Sequence, residues 1–226
     1  MLNLDVTKTN IAIDELLKTT LNPRHRFMLL AYHRHRYLEI AGRYEEIFAP
    51  EMTVERPVYH VSVRSNKVKL DGQASVKSLY RLWAETNQCI FYAENEQVAV
   101  ADNYVASTAT IYQQVSGKTL AFDRAMSYLP GFLSAPLVKK VLSMKNIEPN
   151  VNSYYLYVNY VEMIWPYDDR GRLIGENGWE PEPERAEIFK LDPADVLTAA
   201  EAAKRLDPLI KPLPSFDEMA LGRKAA

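Results

Sequence analysis

An α+β fold, with helices and a mostly antiparallel sheet segregated along the chain, is predicted by three observations. Apolar residues between Arg24 and Phe48 recur at spacings of three and four, those from Cys89 onward alternate at period two, and hairpin residues separate several of the alternating runs. At 226 residues the chain is long enough for one adequate core with an elaboration, so a single domain spanning 1–226 is expected.

Each element has its own signal. Residues 10–20 read as a short leading helix, and Asn22-Pro23 then supplies an N-cap followed by proline at the first helical position. The next helix carries Leu29, Tyr32, Arg36, Ile40, Tyr44 and Ile47 on one stripe and ends at Ala49-Pro50. MTVERPVYHVSVR, 52–64, alternates as a strand does, with Pro57 marking an edge or a break. Asp71-Gly72 opens a third helix with Val76, Leu79, Tyr80 and Trp83 on one face. CIFYAE, QVAVA and NYVASTATIYQQVSG read as strands of a meander, with turns at Glu94-Asn95-Glu96 and Asp102-Asn103. A long strand at 153–165 turns through PYDDRG into RLIGENGW. Between meander and hairpin, 118–150 reads as an insertion holding a helix at 136–145. DPADVLTAAEAAKRLDPLI is a last helix, and the tail beyond PLPSF is expected to fray.

Composition excludes several classes. With 27 Lys plus Arg against 29 Asp plus Glu there is no electrostatic reason to expect nucleic acid. The basic string RHRFMLLAYHRHR spreads its cations around a helix, as a solvated rim does. The apolar run Phe27–Tyr32 is far short of the about 20 residues that span a bilayer, so no membrane partner is expected. The start of the chain lacks the basic-then-apolar order of a secretory peptide and Cys89 is the sole cysteine; both suit a reducing cytoplasm. His33 and His35 lie two apart on a helix and point away from each other, and there is no HExxH or cysteine pair, so no metal is expected. No glycine loop for a nucleotide is present either, and no cofactor is expected. Cys89 reads as an inert core thiol.

The element order, with the strings APEMTVERPVYHV, DGQASVKSLYRLW and WPYDDRGRLIGE, resembles the nuclear transport factor 2-like superfamily, especially its SnoaL-like branch. The likeness covers roughly 23–180, leaving 181–226 as a C-terminal extension. It implies a cone-shaped α+β barrel whose cavity lies between helices and a concave sheet. Many such proteins are cofactorless enzymes, among them ketosteroid isomerase, scytalone dehydratase, polyketide cyclases and epoxide hydrolases; others only bind. It also implies a convex sheet that pairs with a second copy, so a homodimer or higher homo-oligomer is expected. In MTVERPV the isomerase's catalytic Asp is replaced by Arg56, and its second oxyanion donor falls on Met163, which argues against a steroid isomerase. The isomerase's oxyanion-hole tyrosine falls on Tyr32 and a supporting tyrosine on Tyr80. In length, tyrosine content and inserted segment the chain is also similar to the formaldehyde-releasing lyases of lignin-derived diarylpropane and phenylcoumaran dimers.

Counting along that superposition, Arg56, Val58 and His60 point inward, as do Tyr155, Tyr157, Asn159, Val161, Met163 and Trp165. Ser107, Ala109 and Ile111 point inward too, unless a bulge turns Tyr104, Thr108 and Tyr112 in instead. His60 is then a proton carrier, the competing reading being a histidine capped by a carbonyl. Arg56 is a holder of a phenolate or carboxylate, or else half of a salt bridge to Glu55 or Glu39. Tyr32 and Tyr80 are oxyanion donors or satisfied core tyrosines. Arg36, one turn beyond Tyr32, reaches the same cavity or snorkels. Tyr104, Tyr157, Asn159 and Trp165 give wall and polar contacts, packing being the alternative. Glu176 is the best carboxylate base, ahead of Asp102 and Glu162. The function expected is a cofactorless lyase acting on a small phenolic aromatic, by elimination with formaldehyde release to a stilbene. A SnoaL-like cyclase, dehydratase or isomerase, and a non-catalytic ligand-binding module, are the alternatives.

Overall fold

Asn22 caps the central helix of the protein: its side chain accepts from the N–H groups of Arg24 and His25 at 2.9 and 3.2 Å, and Pro23 occupies the first turn. The computed structural model describes residues 4–63, 66–121, 142–143 and 146–222. The leading helix α1 is Ile11–Thr19 and the central helix α2 is Pro23–Ile40. Gly42, at φ +67°, breaks the chain out of α2 before a short 3₁₀ turn, Tyr44–Phe48, so the long helix expected to reach Phe48 is divided here. α2 buries residues on most of its faces, Phe27, Leu29, Tyr32, Arg36 and Ile40 among them. It is the axis of the core.

The sheet is formed by β1 (Thr53–Val63), β2 (Asn66–Asp71), β3 (Phe91–Ala101), β4 (Tyr104–Ser116), β5 (Tyr154–Pro166), β6 (Leu173–Glu180) and β7 (Glu187–Lys190). Helix α3 (Gln73–Glu85) follows β2, and a short α4 (Gly117–Ala121) follows β4. Strand order is β2-β1-β6-β5-β4-β3, with β7 on β5, and every pair is antiparallel except β1 with β6. This is the α+β architecture that the patterning predicts, with an unclosed, curved sheet and helices over it. β4 and β5 form the backbone of the sheet, in register without a break from Tyr104 opposite Pro166 to Ser116 opposite Tyr154.

Two strands depart from the sequence expectation, for one physical reason. Glu94-Asn95-Glu96 is not a hairpin: β3 runs straight through it, and the register against β4 shifts between Glu94 and Gln97. Asn95 takes φ +53°, as a bulge residue does. In β1 the pairing to β6 shifts between Thr53 and Val58 around Pro57. Gly175 lies so close to the Val58 carbonyl that a Cβ there would collide with it. β2 and β7 carry no sequence signal strong enough to have been expected.

The C-terminal extension is built into the body. Gln114 of β4 donates to the Leu197 carbonyl at 2.9 Å and accepts from the Leu197 N–H at 3.1 Å. Helix α5 (Ala199–Leu206) begins with a Thr198–Glu201 capping box. It occupies only the middle of the run expected as one helix, which starts instead with a 3₁₀ turn at Pro193–Asp195. Of the tail expected to fray, 217–221 form part of α6 (Phe216–Leu221), whose Phe216 is set edge-on to Phe27 at 5.0 Å, and 223–226 lie outside the described residues. The helix expected at 136–145 lies almost wholly outside the described residues. No helix among those described is long and apolar enough to cross a membrane.

Candidate active site

Between α2, α3 and the concave face lies a narrow hollow with a cavity volume of about 60 Å³. α2 contributes Tyr32, Arg36 and Glu39, four and three residues apart and so on one helical stripe. α3 adds Tyr80 and Trp83, β1 adds Tyr59 and Val61, and β3 adds Phe91 and Glu96. Ser107, Ala109 and Ile111 of β4, Val161, Met163 and Trp165 of β5, and Glu176 of β6 complete the walls. Both β4 and β5 thus show the alternation read from sequence. Their unbroken ladder carries the phase from one end to the other.

The ionisable groups form two clusters. In the first, the buried Arg36 meets the equally buried Glu96, Nη1 to Oε1 at 2.5 Å. Tyr32 shares this pair: its hydroxyl donates to Glu96 Oε1 at 3.3 Å and lies 3.0 Å from Ser107 Oγ. The Arg36 guanidinium stands over the rings of Tyr32 and Phe91 at 5.4 and 5.6 Å. Burial opposes its charge, but Tyr32 and Glu96 outweigh that and hold its pKa above the ordinary value. Burial pushes Tyr32 up despite Arg36 beside it, so its phenol keeps its proton.

The second cluster is compensated only in part. Glu39 is pushed up to about 8 by burial, offset in part by Arg36. Its only ion-pair neighbour among the described residues is His35, at 3.9 Å, and burial drives that imidazole down to about 3, so it is neutral. Glu176 is raised well above the carboxylate range, by burial first and by Glu39 second. Around the two acids stand phenols. Tyr80 is 3.0 Å from His35 Nε2, and Tyr59 is edge-on to Tyr80 with ring centres 6.3 Å apart. Burial raises both phenols far above their usual range. The indole N–H groups of Trp83 and Trp165 are buried with no hydrogen-bond partner among the described residues.

Of the residues singled out from sequence, the structure brings Tyr32, Arg36, Tyr80, Trp165 and Glu176 together around the hollow. Arg56 and His60 do not join them. The register break near Pro57 sets the opposite phase, so Tyr59 and Val61 face inward while Arg56 and His60 are exposed. Arg56 pairs with Asp71 at 2.8 Å, neither Glu55 nor Glu39, and its side chain is 78% exposed. His60 lies in a shallow depression of the opposite face, with Thr108, Ile164 and Trp179. Tyr104 is exposed at the first rung of the β4–β5 ladder and does not line the hollow. Tyr157 and Asn159 are buried but elsewhere: the Tyr157 hydroxyl donates to Glu180 at 2.9 Å, and Tyr157 packs with Val115, Leu120 and Ile188. Asp102 is a turn residue held by His25, and Glu162 faces the His60 depression.

Sequence reasoning missed Glu39, Glu96, His35, Tyr59 and Trp83. Glu39 was findable, because it extends the Tyr32–Arg36 stripe by one further step. Glu96 was hidden by the bulge that turns it inward. The buried Cys89 lies 3.5 Å from the Ile40 carbonyl, its thiol pushed up to about 12 by burial. Among the described residues no group of three or more His, Cys, Asp or Glu is placed to hold a metal ion.

No family model and no curated protein matches the chain. Solved structures do. A protein from Jannaschia sp. CCS1 described as a SnoaL-like polyketide cyclase is 14% identical over 81% of this chain and 98% of its own, with a TM-score of 0.44. A phenazine biosynthesis-related protein from Pseudomonas aeruginosa is 12% identical over 74% of this chain and 82% of its own, at a TM-score of 0.41. A nuclear transport factor 2-like protein with a cystatin-like fold from Novosphingobium aromaticivorans is 11% identical, covering 80% and 93%, at 0.33. These are likenesses of chain path and bring no residue role with them.

Proposed function

We propose that this protein is a cofactor-independent acid–base enzyme that takes a small phenolic aromatic into the hollow and acts on it by elimination. The observation that carries the reading is the pair Glu39 and Glu176, two carboxyl groups on one aromatic-walled hollow with no cation paired to either among the described residues. Carboxyl groups whose surroundings push their pKa values apart supply an acid and a base at the same pH. Glu39, raised to about 8, gives up its proton first, and its ionised fraction, growing as pH approaches 8, serves as base. Glu176 retains its proton and serves as acid. Flat walls from Trp83, Trp165 and Phe91 suit an aromatic guest.

The specific reaction proposed is formaldehyde release from a diaryl substrate bearing a benzylic hydroxyl and a neighbouring hydroxymethyl group. Glu176 protonates the benzylic hydroxyl, which leaves as water, and the phenolic O–H gives up its proton to solvent, so that a neutral quinone methide is generated. Glu39 then removes the hydroxymethyl O–H proton. The carbon–carbon bond breaks, its electron pair forms the stilbene double bond and returns the methide to a phenolate, which takes a proton back from solvent. Formaldehyde leaves, the proton on Glu39 is passed on to restore Glu176, and the overall oxidation level is unchanged.

The test is incubation with a panel of phenolic diaryl diols, following stilbene absorbance and formaldehyde together. Equimolar stilbene and formaldehyde support the reading. A cyclised, dehydrated or isomerised product without formaldehyde replaces it with the cyclase, dehydratase or isomerase reading.

A further inference from the structure

β3 pairs with β4 as Phe91 opposite Gln113 and Ala93 opposite Ile111, which puts odd-numbered residues of β3 on the concave face. Beyond the bulge the phase is reversed: Val98 lies opposite Ser107 and Val100 opposite Val105, so even-numbered residues face inward. The extra residues Asn95 and Glu96 sit where the partner strand offers only Ala109, and Asn95 takes the left-handed conformation, φ +53°. A bulge of this kind re-aims a side chain. Here it delivers Glu96 into an aromatic hollow, to a side-chain exposure of only 4%.

Once there, Glu96 is half satisfied. Oε1 meets Arg36 and the Tyr32 hydroxyl, whereas Oε2 is buried with no partner among the described residues. A buried carboxylate oxygen without a donor is costly, and the cost is relieved by a ligand that supplies one. The neighbouring surface is aromatic: the Tyr32 and Phe91 rings, both under the Arg36 guanidinium.

We propose that Glu96 is a specificity-determining residue that reads a hydroxyl donor on an aromatic ring, its Oε2 accepting from the phenolic O–H while Arg36 and Tyr32 hold Oε1. This deepens the functional reading and rests on it only in taking the hollow as the substrate site. Glu39 and Glu176 belong to the chemistry and Glu96 to recognition, so each is tested separately.

The experiment compares binding of para-phenylphenol and its O-methyl ether to the full chain, by calorimetry and by quenching of tryptophan fluorescence. Wild type is expected to bind the phenol at least about tenfold more tightly than the ether, which leaves Glu96 Oε2 unpaired. Glu96→Gln, which presents an amide, is expected to bind both within about threefold of each other. Because removing one member of a buried ion pair endangers folding, Arg36→Met/Glu96→Gln is the second variant, and circular dichroism checks that each is folded. Equal affinity of wild type for the two probes overturns the proposal, as does a phenol preference retained in either folded variant. Binding of neither probe overturns both this proposal and the substrate-site reading. Equal binding of both overturns this one alone.

Discussion

Two clusters share one hollow and treat their carboxyl groups in opposite ways. Glu96 lies 2.5 Å from a guanidinium that is itself buried, whereas Glu39 and Glu176 have no cation at ion-pair distance among the described residues, Arg36 offsetting the burial of Glu39 only in part. The first arrangement stabilises fixed charge and gives geometry: a buried ion pair is rigid and orients whatever hydrogen-bonds to it. The second disfavours charge and holds protons at a pH where carboxyl groups in water have lost them. Burial alone does not make a carboxyl group a proton store; burial without an ion-paired cation does.

The comparison breaks first, and with the largest effect, at the partly compensated pair. Glu39→Gln or Glu176→Gln is expected to lower turnover by about 10²–10⁴-fold, the usual size of a general acid or base contribution, in a folded protein. Turnover within a factor of a few of wild type in both variants ends the acid–base assignment.

Next comes the compensated cluster. Arg36→Met strands Glu96 and is expected to destabilise the fold by about 3–5 kcal/mol. The paired Arg36→Met/Glu96→Gln variant is expected to recover most of that, because both charges are then gone. Urea denaturation of the two variants and wild type measures the difference, and equal loss in single and paired variants contradicts the account.

The pH dependence of stability sharpens the contrast. Glu39 has a folded pKa raised from 4.5 to about 8, so the stability linked to its protonated form is complete below 4.5 and lost as pH rises through 8. Glu180, which accepts from Tyr157, is raised to about 8 by burial and acts in the same direction. His35 acts oppositely, since its neutral form is favoured between about 3 and 6.5, so the clean window lies above 6.5. Stability is expected to fall from pH 6.5 to beyond 8 and to fall less steeply in Glu39→Gln. A flat profile in wild type contradicts it.

The smallest effect is expected on the opposite face. Arg56→Ala and His60→Ala alter groups exposed to solvent and remote from the hollow, so neither turnover nor melting temperature is expected to move beyond experimental error. A large loss of turnover in either variant restores the inward phase read from sequence and removes the basis for the two-cluster comparison.

Those two residues also mark what sequence could and could not reveal. Element type was legible because periods of 3.6 and 2 depend only on which residues are apolar, and β4 and β5 kept their phase from end to end. Phase is lost at a bulge. One extra residue in β3 concealed Glu96, and the register break beside Pro57 in β1 exchanged Tyr59 for His60. Glu39 could be placed on the Tyr32–Arg36 stripe but its state could not: nothing in a helix heptad says whether an acid one turn from an arginine is solvated at a rim or dry in a hollow. The His35 pairing with Tyr80 joins residues 45 apart in the chain and has no local signature.

The most direct measurement is an infrared pH titration of the carboxyl C=O band of the folded protein, wild type against Glu39→Gln and Glu176→Gln. A protonated-carboxyl band is expected to persist at neutral pH and to lose two components as pH passes about 8, one from Glu39 and one from Glu180, of which only the first is absent in Glu39→Gln. The component that survives to higher pH is expected to be missing in Glu176→Gln. No protonated-carboxyl band at neutral pH, or one unchanged by either substitution, contradicts the claim that this hollow stores protons on two acids.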